Sequence, residues 1–175
     1  MDCNKIEIRK AKYSDIKEIA NIKVTGWQNA YRGIVSDEYL NNMLYSEQIE
    51  KYSTTYSLDT IFVAEKDKEI LGFCRFYNYD TPVYDDLEVD CEIREIYVRP
   101  DIKRIGIGSK LFNYTLDYLK KKGKIKLYLG VFKENYNSRK FYEKMGGIIG
   151  KEDILEISNI KYPIISYTYI LNERK

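Results

Sequence analysis

Histidine is absent from the 175 residues. That excludes a Ser-His-Asp or Cys-His nucleophile built within the chain, and a His-ligated zinc. Acid-base chemistry near neutral pH therefore falls to carboxylates, Lys, Tyr, Cys or water. Cysteine is scarce too: Cys3, Cys74 and Cys91 are odd in number and widely spaced. They suit reduced thiols in a cytoplasmic protein better than a disulfide framework, and their spacing fits no Cys-only metal site. No apolar run approaches the roughly 18 to 20 residues that span a bilayer. The start, "MDCNKIEIRK", lacks the apolar core of a secretory signal. There are three prolines, no repeat and no low-complexity linker, so residues 1–175 read as one domain. Charge of neither sign dominates. A formal net charge of +2 provides no global field for nucleic acid or a membrane surface. The lysines of "KKKGKIK" read as a solvated helix end, because no stacking pattern of a nucleic-acid module accompanies them.

Apolar residues make up 44% of the chain, enough for a sizeable core. "KIEIRKA" alternates and predicts a first strand. "SDIKEIANIKVTGW" predicts a helix with Ile16, Ala20, Val24 and Trp27 on one stripe, capped by Ser14 or Asp15. "DEYLNNML" and "SEQIEKYSTTY" predict a more irregular helical region. "TIFVAE" and "ILGFCRFYN" read as strands joined by the turn "KDKE". An acidic loop spans 80–90, followed by the strand "CEIREIYV". "GSKLFNYTLDYLKKKG" predicts an amphipathic helix with Leu111, Thr115 and Leu119 inward and Gly123 as its stop. Then come a strand, "IKLYLGVF", and a short helix, "NSRKFYEKMGG", capped by Asn137 or Ser138. Two strand-like runs follow, "IIGKEDILEIS" and "KYPIISYTYIL". The order implies a mixed sheet with helices and at least two crossovers in the second half.

Between "CEIREIYV" and the long helix lies "KRIGIGS". Its glycines fit neither a Walker loop nor a dinucleotide fingerprint, whose third Gly would fall at Leu111. What remains is a strand, a two-glycine turn and a helix start. Its close backbone and unpaired amides suit a pyrophosphate, or it is simply a tight turn.

The neighbourhood bears on that choice. Lys103, Arg104, Ile105, Gly106, Ile107 and Gly108 resemble the acyl-CoA signature Gln/Arg-x-x-Gly-x-Gly/Ala of the GNAT acetyltransferase family, with Lys at the first position. Asn135, Ser138, Phe141, Tyr142, Glu143, Lys144 and Gly146 match its second motif, in the expected order and separation. The resemblance implies an α+β fold: a mixed, mostly antiparallel sheet of about six or seven strands, splayed at the cofactor site and flanked by helices. It implies acetyl-CoA as acyl donor. The arm of acetyl-CoA would pair with backbone around Ile96, Tyr97 and Val98, and its pyrophosphate would sit on the amides from Lys103 to Ser109. Asn135 and Ser138 belong to the motif that holds the arm. No metal is implied.

The implied reaction moves acetyl to an amine, which must lose a proton to a carboxylate or water. Glu92 stands where many members, histone acetyltransferases included, place a general base. Glu95 is the other candidate. Three apart on a regular strand, the two should face opposite sides. Tyr142 matches the family's tyrosine for protonating the departing thiolate, although most of the 18 tyrosines must serve packing. Cys74 and Cys91 read as buried strand residues, since a nucleophilic cysteine has no histidine to activate it.

On the acceptor side, Trp27 and Tyr31 of "GWQNAYRGI", next to Arg32, either frame the amine or pack in the core. Asp80, Asp85, Asp86, Glu88 and Asp90 suggest a cationic acceptor such as a polyamine, an aminoglycoside or a basic peptide, or else a solvated loop. The expected protein is a cytoplasmic N-acetyltransferase acting on a small-molecule or peptide amine. The alternative is an acyl-CoA-binding regulatory module without chemistry. "YPIISYTYIL" is either an inner strand or a strand that pairs across a homodimer.

Overall fold

A computed structural model describes residues 6–83, 88–102 and 105–173. Seven strands form one sheet: β1 (Glu7–Lys10), β2 (Ile61–Lys66), β3 (Glu69–Val83), β4 (Val89–Val98), β5 (Lys126–Phe132), β6 (Ile148–Ile157) and β7 (Ile160–Ile170). Their spatial order is β1-β2-β3-β4-β5-β7-β6. Every neighbouring pair is antiparallel except β4 and β5. A parallel pair needs a crossover, and α4 (Ile107–Lys121) provides it. α5 (Tyr136–Lys144) makes the second, carrying the chain from β5 past the place that β7 fills.

Strand alternation gives the sheet two apolar faces. On β2, Phe62 and Ala64 pack with Ile107, Leu111 and Leu119 of α4, while Ile61 and Val63 pack with Ile16 and Ile19 of α1 (Ile16–Ala30). Helix α4 buries Leu111, Thr115 and Leu119, as its spacing predicts. The Thr115 hydroxyl is satisfied by donating to the Leu111 carbonyl at 2.9 Å. The helix stops before Gly123 (φ +78°).

Several expectations change. The buried positions of α1 include Ile19, Ile22 and Lys23, while Val24 is only half-buried. Lys23 turns inward because a buried carboxylate awaits it. The irregular region resolves into α2 (Asp37–Asn41), α3 (Tyr45–Glu50) and a π-type turn, Lys51–Thr55, that buries Tyr52. Asn135, rather than Asn137 or Ser138, caps α5, accepting from the Ser138 amide at 3.1 Å. The acidic stretch is not all loop: β3 runs to Val83 and β4 begins at Val89. Asp85 and Asp86 lie outside the described residues, as does Cys3. "YPIISYTYIL" is an inner strand, and β6 takes the edge.

β4 and β5 pair only at Cys91–Leu127 and Glu92–Tyr128. Just before this, Asp90 anchors the start of β5 by accepting from the amides of Ile125 and Lys126 at 2.9 and 3.0 Å. Just after it, the β3–β4 register shifts: Arg75 faces Glu95, but Phe76 faces Ile93. Arg94 is the extra residue of a bulge, which bends the strand that carries it. The two strands part there, leaving one edge of β4 from Ile93 to Val98 without a strand partner.

Candidate active site

Two cavities flank this opening. One, of about 660 Å3, is lined by Ile96 and Val98 of β4, by Gly106 to Ser109 at the start of α4, and by Asn135, Ser138 and Phe141. Gly106 adopts φ +84° as the residue preceding α4, a conformation that only glycine takes readily. The turn delivers the first amides of α4 to the cavity, where they can receive an anion. Of the residues expected here, Tyr97 and Ile105 are not in the lining, and Lys103 and Arg104 lie outside the described residues. Tyr97 points away because its side chain alternates to the α1 side, where its hydroxyl lies 3.1 Å from that of Tyr31.

The other cavity, of about 300 Å3, lies against α1, β4, β5 and the β6–β7 hairpin. Glu92 and Glu95 both line it, contrary to the expectation from strand alternation, because the bulge at Arg94 restores them to one side. Their environments differ. Glu95 is saturated: it accepts from Lys23 Nζ at 2.5 Å, Arg75 Nε at 2.6 Å and the Tyr52 hydroxyl at 2.8 Å. Burial opposes its ionisation, but Lys23 and Arg75 outweigh burial and hold the carboxyl down at about 2. A carboxylate so held is a poor proton acceptor. Glu92 is only 2% exposed. It accepts from the Tyr79 hydroxyl at 2.8 Å and pairs with Arg94 Nε at 3.2 Å. Burial dominates here and raises its carboxyl above the usual range, against the opposing pull of Arg94 and Tyr79.

Tyr142, Ile96, Ser138 and Ala30 line both cavities, so the two meet there. The Tyr142 hydroxyl has no hydrogen-bond partner among the described residues. Burial raises its pKa well above the ordinary value and keeps it protonated.

Trp27 and Tyr31 line the smaller cavity and also pack edge-on, 4.9 Å apart, with Tyr31 against Phe132 at 4.8 Å. The two rings therefore belong both to the cavity wall and to an aromatic cluster. Arg32 turns outward to Asp37 at 2.9 Å. Asp80 and Glu88 line neither cavity, and Asp90 is engaged by β5. Cys74 and Cys91 are buried. Burial pushes the Cys74 thiol up to about 12 and also raises that of Cys91. Sequence reasoning missed Lys23 and Arg94. Lys23 lies one turn before Trp27 on α1, and its Nζ sits 4.6 Å from the Trp27 ring centre, but its inward turn depends on Glu95, far away in sequence.

A model of the acetyltransferase (GNAT) family matches residues 25–147. The chain is 30% identical over 158 residues to the uncharacterized N-acetyltransferase YuaI of Bacillus subtilis strain 168, covering 89% of this chain and 88% of that protein. It is 28% identical over 144 residues to the spermidine N(1)-acetyltransferase of Thermoplasma acidophilum, covering 81% and 87%. Among solved structures, a GCN5-related N-acetyltransferase from Rhodopseudomonas palustris superposes with a TM-score of 0.78 at 17% identity, over 97% of this chain and 98% of that one. The yncA protein of Salmonella typhimurium, solved with its cofactor acetyl-CoA, gives 0.67 at 18%, over 98% and 96%. The chain belongs to the GNAT family of acetyltransferases. Membership makes it an N-acetyltransferase that draws its acetyl group from acetyl-CoA.

Proposed function

We propose that the protein transfers acetyl directly to the primary amine of a small molecule or peptide, with Glu92 as general base and Tyr142 as general acid. The observation that carries this reading is the meeting of the two cavities at Tyr142, with Glu92 in the wall of the smaller one. The larger cavity fits the donor. Its turn at Gly106 presents helix amides to a pyrophosphate, and the open edge of β4 offers backbone groups near Ile96 and Val98 to an amide-bearing arm. Asn135 and Ser138 lie beside that arm's path. Bound there, acetyl-CoA supplies an acetyl group activated as a thioester.

The raised carboxyl of Glu92 matches the work of a base better than the clamped Glu95. As the new C–N bond forms and the C–S bond breaks, the proton on nitrogen passes to Glu92. The Tyr142 hydroxyl gives its proton to the departing sulfur and regains one from solvent. A backbone amide near Val98 suits the oxygen of the reacting carbonyl. A polyamine is the acceptor in the name of the Thermoplasma relative, and belongs in any first panel. A homodimer through the exposed edge strand β6, which leaves Ile148 and Ile149 in solvent, completes the reading, and light scattering tests it.

The experiment is CoA-thiol release from acetyl-CoA across polyamines, aminoglycosides, amino acids and peptide amines, with product masses. Release with a matching gain of one acetyl group supports transfer. Binding of acetyl-CoA without transfer to any acceptor would favour a regulatory module.

A further inference from the structure

Arg94, the extra residue of the β4 bulge, stands half-exposed in the wall of the acceptor cavity. Its Nε pairs with Glu92 at 3.2 Å, and its guanidinium carbon lies 5.9 Å from the Tyr77 ring centre, a contact with the ring face that uses none of its N–H groups. The other guanidinium nitrogens have no hydrogen-bond partner among the described residues. The cavity therefore presents a carboxylate and an open guanidinium fork side by side. Its second buried carboxylate, Glu95, is consumed by Lys23, Arg75 and Tyr52. Asp153 lies at the exposed rim, with one oxygen accepting from the Ile154 amide at 2.7 Å. A polycation would find one buried carboxylate to pair with and a guanidinium beside it. A zwitterion finds its complement: amine toward Glu92, carboxylate on the fork of Arg94, which suits planar two-point recognition. The remaining wall is mixed: Trp27, Phe132, Ile154 and Ile164 offer an apolar side beside the hydroxyl-bearing Tyr31, Tyr128 and Ser138.

We propose that the acceptor is an α-amino acid with an apolar side chain, or an analogue that keeps an anionic group one carbon from its amine, and that Arg94 binds that group. This rests on the proposed role of Glu92 at the same site. It makes Arg94 a specificity residue and excludes peptide N-termini, which lack a carboxylate at that position.

The test is steady-state CoA-thiol release by the full chain with acetyl-CoA. Acceptors are leucine, methionine and phenylalanine, each beside its amide and the amine lacking the carboxylate, plus spermidine. At least one amino acid should exceed both of its partners in kcat/KM by about 10-fold or more, the scale of a charge-assisted hydrogen bond. Arg94→Gln should lower kcat/KM for that amino acid by about 10- to 100-fold, mainly through KM. The KM of the amine lacking the carboxylate should stay within about threefold of wild type, since it never used the fork. Arg94 is half-exposed, so the variant should fold, and its circular dichroism melt checks this. Equal use of amino acid and amine, or preference for spermidine, overturns the inference and leaves the proposed transferase standing. No transfer to any acceptor, with acetyl-CoA shown to bind, overturns both.

Discussion

Glu92 and Glu95 line the same cavity although they stand three positions apart on β4, because Arg94 is an extra residue opposite β3. One carboxylate is held by two cations and a phenol. The other sits against one hydroxyl and one half-exposed arginine. The strand thus separates a structural acid from a candidate reactive one.

Glu92→Gln should lower kcat by about 100-fold or more, within the usual range for a lost general base. Unfolding by urea should show little change in stability. Turnover of the folded variant near the wild-type rate would remove Glu92 from the mechanism.

Glu95→Gln should act mainly on stability. It leaves Lys23 and Arg75 buried without their shared counter-charge, at a cost of about 3–5 kcal/mol. The same pairing predicts acid sensitivity. The folded-state carboxyl titrates near 2, below its ordinary 4.5, so its contribution is complete above 4.5 and disappears as pH falls through about 2. Urea midpoints measured between neutral pH and pH 2 would show the loss, and the Gln variant should lack this component.

Tyr142→Phe should slow turnover by about 10-fold or more, since no other hydroxyl among the described residues lines both cavities except that of Ser138. The fold should survive. Tyr142 donates no hydrogen bond through its hydroxyl, and its carbonyl continues to accept from Tyr169 at 2.8 Å. Unchanged CoA-thiol release would assign the sulfur's proton to another source.

The acid limb of kcat should lie above the ordinary glutamate range, because burial raises Glu92. Activity is lost as pH falls through that raised value, where the base becomes protonated. Arg94→Gln removes a cation that favours the carboxylate, so the limb should move to still higher pH with an acceptor that does not use Arg94. A pH–rate profile of the variant checks the direction.

Gly106→Ala should weaken acetyl-CoA binding with little effect on kcat. Nothing lies within 4 Å of the added Cβ, so the penalty is backbone strain at φ +84°, about 1–2 kcal/mol. Calorimetric titration of coenzyme A should show up to about 10-fold weaker affinity.

Much of this arrangement was legible along the chain. Gly106, Gly108, Asn135 and Tyr142 occupy short motifs whose geometry is local, and Leu111, Thr115 and Leu119 follow from helical period alone. What escaped was set across strands. A bulge is a mismatch between β3 and β4, and nothing in "CEIREIYV" by itself reveals that Arg94 is the surplus residue. Lys23 reads as solvent-facing until Glu95 is placed opposite it, 72 positions later. Asp90 reads as one acid among several until β5 brings it two amides.

The strand order also constrains how the chain is made. β7 is later in sequence than β6 yet lies between β5 and β6, so β6 has no seat on the sheet until β7 has arrived. During vectorial synthesis, β1 to β5 can assemble as residues emerge, but Asp153, Ile154 and Ile164 reach the smaller cavity only once β7 has paired. A nascent chain arrested before Ile160 would carry Glu92 and Gly106 without the far wall of the smaller cavity. Closure of that cavity is therefore coupled to the pairing of β7 rather than to the assembly of β1 to β5.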